Sequence, residues 1–157
     1  MNLKKLSAAW NPVESFPTNF ISSLPEETFN YGKKLAAYLS KGSIVALYGP
    51  LGSGKTCFTK GIASALGVED EITSPTYTIV SEHEGRDFLL YHIDAYRLTG
   101  SEDFYGIGGE EIIYGNGISV IEWSENIENF IPDSAFRVNI KILSDCERQI
   151  NIYRGNE

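Results

Sequence analysis

Gly49-Pro50-Leu51-Gly52-Ser53-Gly54-Lys55-Thr56 satisfies the pattern G-x-x-x-x-G-K-[ST], the signature of a loop that wraps phosphate. Before it the apolar run Ile44-Val45-Ala46-Leu47-Tyr48 reads as a buried strand, and Cys57 to Leu66 after it reads as a helix. Strand, glycine loop and helix in that order are the context the motif requires. Glycines let backbone N–H groups turn inward around a polyphosphate, and the N-terminus of the following helix adds partial positive charge. On this reading Gly49, Leu51, Gly52, Ser53, Gly54, Lys55, Thr56 and Cys57 line a nucleotide. Lys55 would reach the β/γ-phosphates, and Thr56 would offer its hydroxyl to Mg²⁺. A glycine-rich turn with a stray lysine is the bland alternative. With glycine at ordinary frequency a chance match to the pattern is rare, so nucleotide binding is the working premise.

A chain of 157 residues with an apolar fraction of 42% suits one domain with a substantial core. No apolar run reaches the 18 or so residues of a membrane span, and Met1 to Trp10 lacks the apolar centre of a signal peptide, so the expectation is a cytoplasmic protein. Two cysteines, Cys57 and Cys146, suggest neither a disulfide framework nor a zinc site, and both are expected to be buried or inert. The net charge is −8, and twelve acidic residues lie between Ser81 and Asp133 against only Arg86 and Arg97. Direct binding of nucleic acid through phosphate neutralisation needs the opposite balance. The excess is a solvated acidic face or a surface for a basic partner protein.

An Mg²⁺-dependent P-loop enzyme needs an acidic group opposite the Thr hydroxyl. Two apolar runs end in one. Phe88 to Ile93 is followed by Asp94, and Ile118-Ser119-Val120-Ile121 by Glu122-Trp123. Ligands of open α/β sheets sit beyond the carboxyl ends of the strands, so both acids fall near the phosphates if their strands run parallel to the first. Either acid alone is equally well a solvated strand end. His92 shares a strand side with Asp94 and is read as a packed histidine. Ser74-Pro75-Thr76 is a loop, since the residue before proline is pushed out of helix, and it is either a switch presenting a hydroxyl or an ordinary turn. Arg97 either supplies charge to a transition state or pairs with a surface carboxylate. Trp123 and the nine tyrosines belong to core or interface.

The remaining pattern supplies the frame. Phe16 to Ile21 reads as a short strand, Ser23-Leu24-Pro25-Glu26 as a capping box, and the helix it opens runs to about Leu39 with Phe29, Leu35, Ala36 and Leu39 inward. Tyr77 to Ser81 and Phe88 to Ile93 are strands around a turn at Glu84-Gly85-Arg86. Brief helices fit Ser101 to Tyr105 and Gly109 to Ile113, and a helical turn fits Ser124 to Phe130. Phe136 to Leu143 and Gln149 to Tyr153 form a terminal hairpin. The fold class is therefore α/β: a single P-loop NTPase-type domain over 16–157, its central, mainly parallel sheet flanked by helices, with a C-terminal antiparallel hairpin and an irregular arm over 1–15.

Four blocks in this order, Gly49 to Thr56, Ser74-Pro75-Thr76-Tyr77, His92-Ile93-Asp94-Ala95-Tyr96-Arg97 and Ile121-Glu122-Trp123, resemble the TsaE (YjeE) family. The resemblance covers about Glu26 to Ile150 and departs at Pro50, where that family usually has an acidic residue. It implies the ATPase component of bacterial tRNA threonylcarbamoyladenosine synthesis, which binds ATP and Mg²⁺, hydrolyses ATP slowly and docks onto TsaD and TsaB; alone, the protein is expected to be a monomer. Contact with tRNA would be indirect, through that complex, for modification of adenosine 37. Carried across residue by residue, Thr56 and Glu122 match Mg²⁺ ligands, Lys55 the phosphate lysine, Asp94 an aspartate supporting hydrolysis, and Thr76 the loop that closes on nucleotide. Adenine would lie near Pro25 to Thr28 and Ser144 to Glu147.

Two other functions fit the phosphate loop. A small-molecule kinase would need an acceptor pocket and a lid with several arginines, where the central region offers Arg86 and Arg97. A nucleotide-regulated binding module would hydrolyse ATP only incidentally. A GTPase is not supported, because no N-K-x-D run follows, and Gly106-Ile107-Gly108-Gly109 only weakly echoes an ABC signature.

Overall fold

The computed structural model describes residues 18–155, so the arm over 1–15 and the first two residues of the strand expected from Phe16 lie outside the described residues. Among the described residues, seven strands form one sheet: β1 (Thr18–Ser22), β2 (Ile44–Tyr48), β3 (Val80–Glu84), β4 (Leu89–Asp94), β5 (Ile118–Glu122), β6 (Phe136–Ile142) and β7 (Arg148–Arg154), in the order β1-β7-β6-β2-β5-β4-β3. The centre is parallel, with β2 between β5 and β6 and β4 beside β5. Antiparallel pairs finish both sides, β6 with β7 and β7 with β1 on one, β3 with β4 on the other. The expected parallel centre and terminal hairpin both form, but the sheet as a whole is mixed, with three parallel and three antiparallel pairings, because the hairpin gains β1 as an edge and β3 returns antiparallel to β4.

Each face of the sheet carries its own core. Helices α1 (Pro25–Ala36) and α2 (Lys55–Ala65) cover one face, where Leu35, Phe58 and Ile62 meet Val45, Leu47, Val138, Ile140 and Ile150. The short helices α3 (Ser101–Gly106) and α4 (Gly109–Ile113) and the 3₁₀ segment Ser124–Phe130 cover part of the other, where Phe104 and Ile127 meet Ala46, Ile93 and Ile121. β2 is buried on both faces, as expected of an unbroken apolar run at the centre of a parallel sheet. Side chains alternate in β6, where Val138 and Ile140 face the helices while Asn139 is half-buried and Lys141 exposed.

Several element boundaries differ from the sequence reading. The expected capping box does not form. Leu24 is the N-cap, Pro25 takes the first helical position, and the Ser23 N–H donates to Glu27 Oε2 at 2.8 Å. Glu26 has no part in it, and the Ser22 hydroxyl is hydrogen-bonded to Thr28 at 2.7 Å instead. α1 stops at Ala36, because the chain tightens into i→i−3 bonds from Tyr38 to Leu35 and from Leu39 to Ala36, which still bury Leu39. β3 begins at Val80 and not at Tyr77. The β-prone run Tyr77-Thr78-Ile79 is bent into a turn in which the Ile79 N–H donates to Pro75 O at 2.6 Å and Ile79 takes φ 68°. A positive φ at a β-branched residue is a strained conformation, held here because Ile79 O accepts from the Asp94 N–H at 2.8 Å.

Candidate active site

The loop from Gly49 to Gly54 leaves the end of β2, and α2 begins at Lys55, two residues earlier than the apolar pattern suggested. Lys55 and Thr56 thus sit in the first helical turn, where N–H groups lack helical partners and the helix dipole is positive. Glycine is required at position 49, because a Cβ there would stand 2.6 Å from Ile140 O and 2.7 Å from Ser53 Oγ. The Lys55 ammonium donates to the carbonyls of Gly49 and, at 3.1 Å, Pro50. It also lies 3.9 Å from the centre of the Trp123 ring, a cation–π contact. Trp123 reaches that place because it follows β5 at φ 58°, the second non-glycine residue with positive φ among those described. Burial draws the Lys55 pKa below the ordinary lysine value against the opposing pull of Glu122, Glu125 and Asp94.

The two strand-end acids meet. β4 and β5 are parallel with Asp94 opposite Glu122 in register, and β5 is parallel to β2, so both carboxylates emerge at the edge of the sheet that carries the glycine loop. Neither is a solvated strand end, since Asp94 is 3% and Glu122 2% exposed. Thr56 Oγ1 donates to Glu122 Oε1 at 2.7 Å. Ser74 Oγ stands 2.8 Å from Asp94 Oδ2 and 3.3 Å from Glu122 Oε2, so one hydroxyl lies between the two carboxylates. Thr76 Oγ1 donates to the same Asp94 oxygen at 3.2 Å, and the Tyr96 N–H holds Oδ1 at 2.9 Å.

Burial works against the charge of Glu122. The hydrogen bond and charge of His92, the Thr56 hydroxyl and the Lys55 cation outweigh it, and the pKa falls below the usual carboxylate value. His92 is packed, as the sequence suggested, and fully buried, yet its Nε2 also lies 3.3 Å from Glu122 Oε2. Ser74-Pro75-Thr76 is no ordinary turn, because both hydroxyls reach the acids. Arg97 is exposed and stacks on the Tyr77 ring at 4.7 Å. Leu51 lines the loop but leaves its side chain 85% exposed. Cys57 is half-buried, with its thiol on Pro25 O at 3.2 Å and its pKa raised by burial; Cys146, expected to be buried or inert, is exposed.

These groups border an open cleft of about 510 Å³ that runs from Leu51 to Cys57 and includes Ser74, Thr76, Asp94, Tyr96, Glu122 and Trp123. A neighbouring recess of about 380 Å³ shares Gly52, Ser53, Gly54 and Cys57 and is lined further by Pro25, Thr28, Asp145 and Cys146, so the two segments expected near a base border one space. Among the described residues no group of three His, Cys, Asp or Glu side chains is placed to hold a metal alone. A threonine hydroxyl beside a carboxylate, with a second carboxylate next to it, is instead the partial set of hard oxygen donors that Mg²⁺ accepts when phosphate oxygens and water complete its shell. Tyr96, Trp123 and Arg148 were not singled out as site residues by sequence reasoning. Trp123 was visible as a neighbour of Glu122, whereas no sequence signal ties Arg148 to Gly52.

The fold and the site define an α/β protein in which a glycine loop, a helix N-terminus and two strand-end carboxylates share one edge of a sheet with a parallel centre. The chain belongs to the TsaE family, whose model, described as threonylcarbamoyl adenosine biosynthesis protein TsaE, matches residues 22–150. It is 42% identical over 132 residues to the tRNA threonylcarbamoyladenosine biosynthesis protein TsaE of Treponema pallidum, covering 84% of this chain and 97% of that one. The Bacillus subtilis protein of the same description is 39% identical over 126 residues, 80% of this chain and 78% of its own. The crystal structure of Bacillus subtilis YdiB superposes with a TM-score of 0.75 at 33% identity, covering 89% of this chain and 86% of that one.

Proposed function

We propose that this chain is an Mg²⁺-dependent ATPase that acts in formation of the threonylcarbamoyl group on adenosine 37 of tRNA, docking on TsaD and TsaB and resetting that complex as ATP is hydrolysed. The observation that carries the reading is the meeting of Asp94 and Glu122 on one hydroxyl beside Lys55 and Thr56. Two buried carboxylates side by side repel each other and favour a cation between them and a phosphate chain.

Thr56 and Glu122 would hold Mg²⁺, which when bound neutralises charge on the phosphate oxygens. Lys55 would exchange the Gly49 and Pro50 carbonyls for phosphate oxygens, and because it is already buried it loses little hydration in doing so. Asp94, fixed through Oδ1 by the Tyr96 N–H, keeps Oδ2 turned toward Ser74 and Thr76, where it can orient an attacking water. Thr76 belongs to the loop that would close over the γ-phosphate. The TsaE relatives named above support the pathway.

Phosphate release from ATP by the purified full chain, with and without Mg²⁺, tests the enzyme. Turnover is expected to be slow, to need Mg²⁺ and to vanish in Glu122→Ala, whereas normal hydrolysis by that variant would remove the metal assignment. Co-purification with TsaD and TsaB, with and without ATP, tests the docking.

A further inference from the structure

The phosphate loop is held from outside by one side chain of the terminal hairpin. Arg148, the half-buried first residue of β7, donates from Nη2 to Gly52 O at 3.1 Å. Its Nη1 meanwhile faces the carbonyls of Ser144 at 2.9 Å, Glu147 at 3.1 Å and Asp145 at 3.5 Å. One planar guanidinium therefore spans the hairpin turn and the phosphate loop, a use of several fixed donors that a lysine cannot reproduce. The contact falls on a sensitive peptide. Gly52 has φ 78°, and the N–H of the next residue, Ser53, donates to Pro50 O at 3.1 Å, so the Gly52–Ser53 peptide is tied at both ends. Lys55 takes the Gly49 and Pro50 carbonyls, and Arg148 takes that of Gly52. Two cations thus hold three loop carbonyls in place.

We propose that Arg148 is a positioning residue for nucleotide binding, which locks the curvature of the phosphate loop through the Gly52 carbonyl and couples it to the hairpin turn. The inference rests on the nucleotide-binding reading of the preceding section. It assigns Arg148 to the phosphates and not only to the recess it borders. A loop released at Gly52 must be ordered when ligand arrives, and that cost falls on affinity.

The test compares wild type with Arg148→Ala by calorimetric titration of Mg-ATP and of inorganic tripolyphosphate, which has no base, alongside steady-state hydrolysis. Loss of a charge-assisted hydrogen bond is expected to raise both dissociation constants about tenfold. KM should rise by a similar factor while kcat stays within about twofold, since Lys55, Thr56 and Glu122 are untouched. Simple loss of folded protein would lower apparent kcat and leave KM alone. Arg148→Met, which keeps an unbranched apolar stem but no donor, carries the same test should the alanine variant not fold. Unchanged tripolyphosphate affinity, whether or not ATP affinity falls, would overturn the inference. A wild type that binds neither ligand would bring down the nucleotide-binding reading as well, and so the two failures are told apart.

Discussion

Glu122 keeps its charge in a place where burial alone would remove it. His92, Thr56 and Lys55 all favour the ionised form, and their sum lowers the pKa of a side chain 2% exposed. A carboxyl whose folded pKa is depressed adds stability that is fully present above its unfolded value of about 4.3 and is lost as pH falls through the lower folded value. Urea midpoints measured from pH 7 down to pH 3 should therefore decline, and Glu122→Gln should make that decline shallower. A parallel decline in the variant would show that other groups govern the acid limb. Lys55 holds a different kind of position. Its ammonium is held by two carbonyls and the Trp123 ring, so Lys55→Ala removes both the proposed phosphate partner and an internal tie of the loop. Calorimetry should detect no ATP binding by that variant, and binding of near wild-type affinity would contradict the role given to the lysine.

At the scale of elements, the helix pair on one face of the sheet sets where the loop points. α1 and α2 approach so closely that glycine is needed on both sides. A Cβ on Gly61 would stand 1.9 Å from Phe29 O, and one on Gly32 would stand 2.2 Å from Phe58 O. Alanine at an ordinary helix interior gains about 1 kcal/mol over glycine. Here the backbone of the facing helix must retreat, and overpacking costs roughly 1–3 kcal/mol or more, so the clash wins. Gly61→Ala should lower the urea midpoint, and a more stable variant would mean that the helices can separate freely. The turn from Ser74 to Val80 acts at the same scale. Strain at Ile79 is retained because its carbonyl and N–H fasten the turn to Asp94 and Pro75, which brings the Ser74 and Thr76 hydroxyls onto the acids.

At the scale of the whole molecule, charge is divided along the chain: of the twelve acidic residues between Ser81 and Asp133, against two basic ones, all but the buried Asp94 and Glu122 form an acidic surface. If that surface meets a basic face on TsaD and TsaB, raising salt from about 0.05 to 0.5 M should weaken co-purification, because exposed charges are screened within a few ångströms at high salt. Retention that ignores salt would take the acidic surface out of docking. No helix among the described residues is long and apolar enough to cross a membrane. The sequence by itself determined the strand–loop–helix unit around Lys55, the apolar runs ending in Asp94 and Glu122, and the terminal hairpin, because each is written in periods of two or about 3.6 residues and in glycine placement. It misplaced the start of β3 and the cap of α1, where local propensity lost to a proline-led turn and to a proline at the first helical position. Only the tertiary structure decided that Asp94 and Glu122 meet on Ser74, that His92 and Lys55 sustain the charge of Glu122, that Trp123 covers the lysine and that Arg148 grips Gly52. Those contacts join residues 20 to 96 positions apart across parallel strands and a hairpin, and pairing at such range depends on strand order and register, which no local pattern encodes.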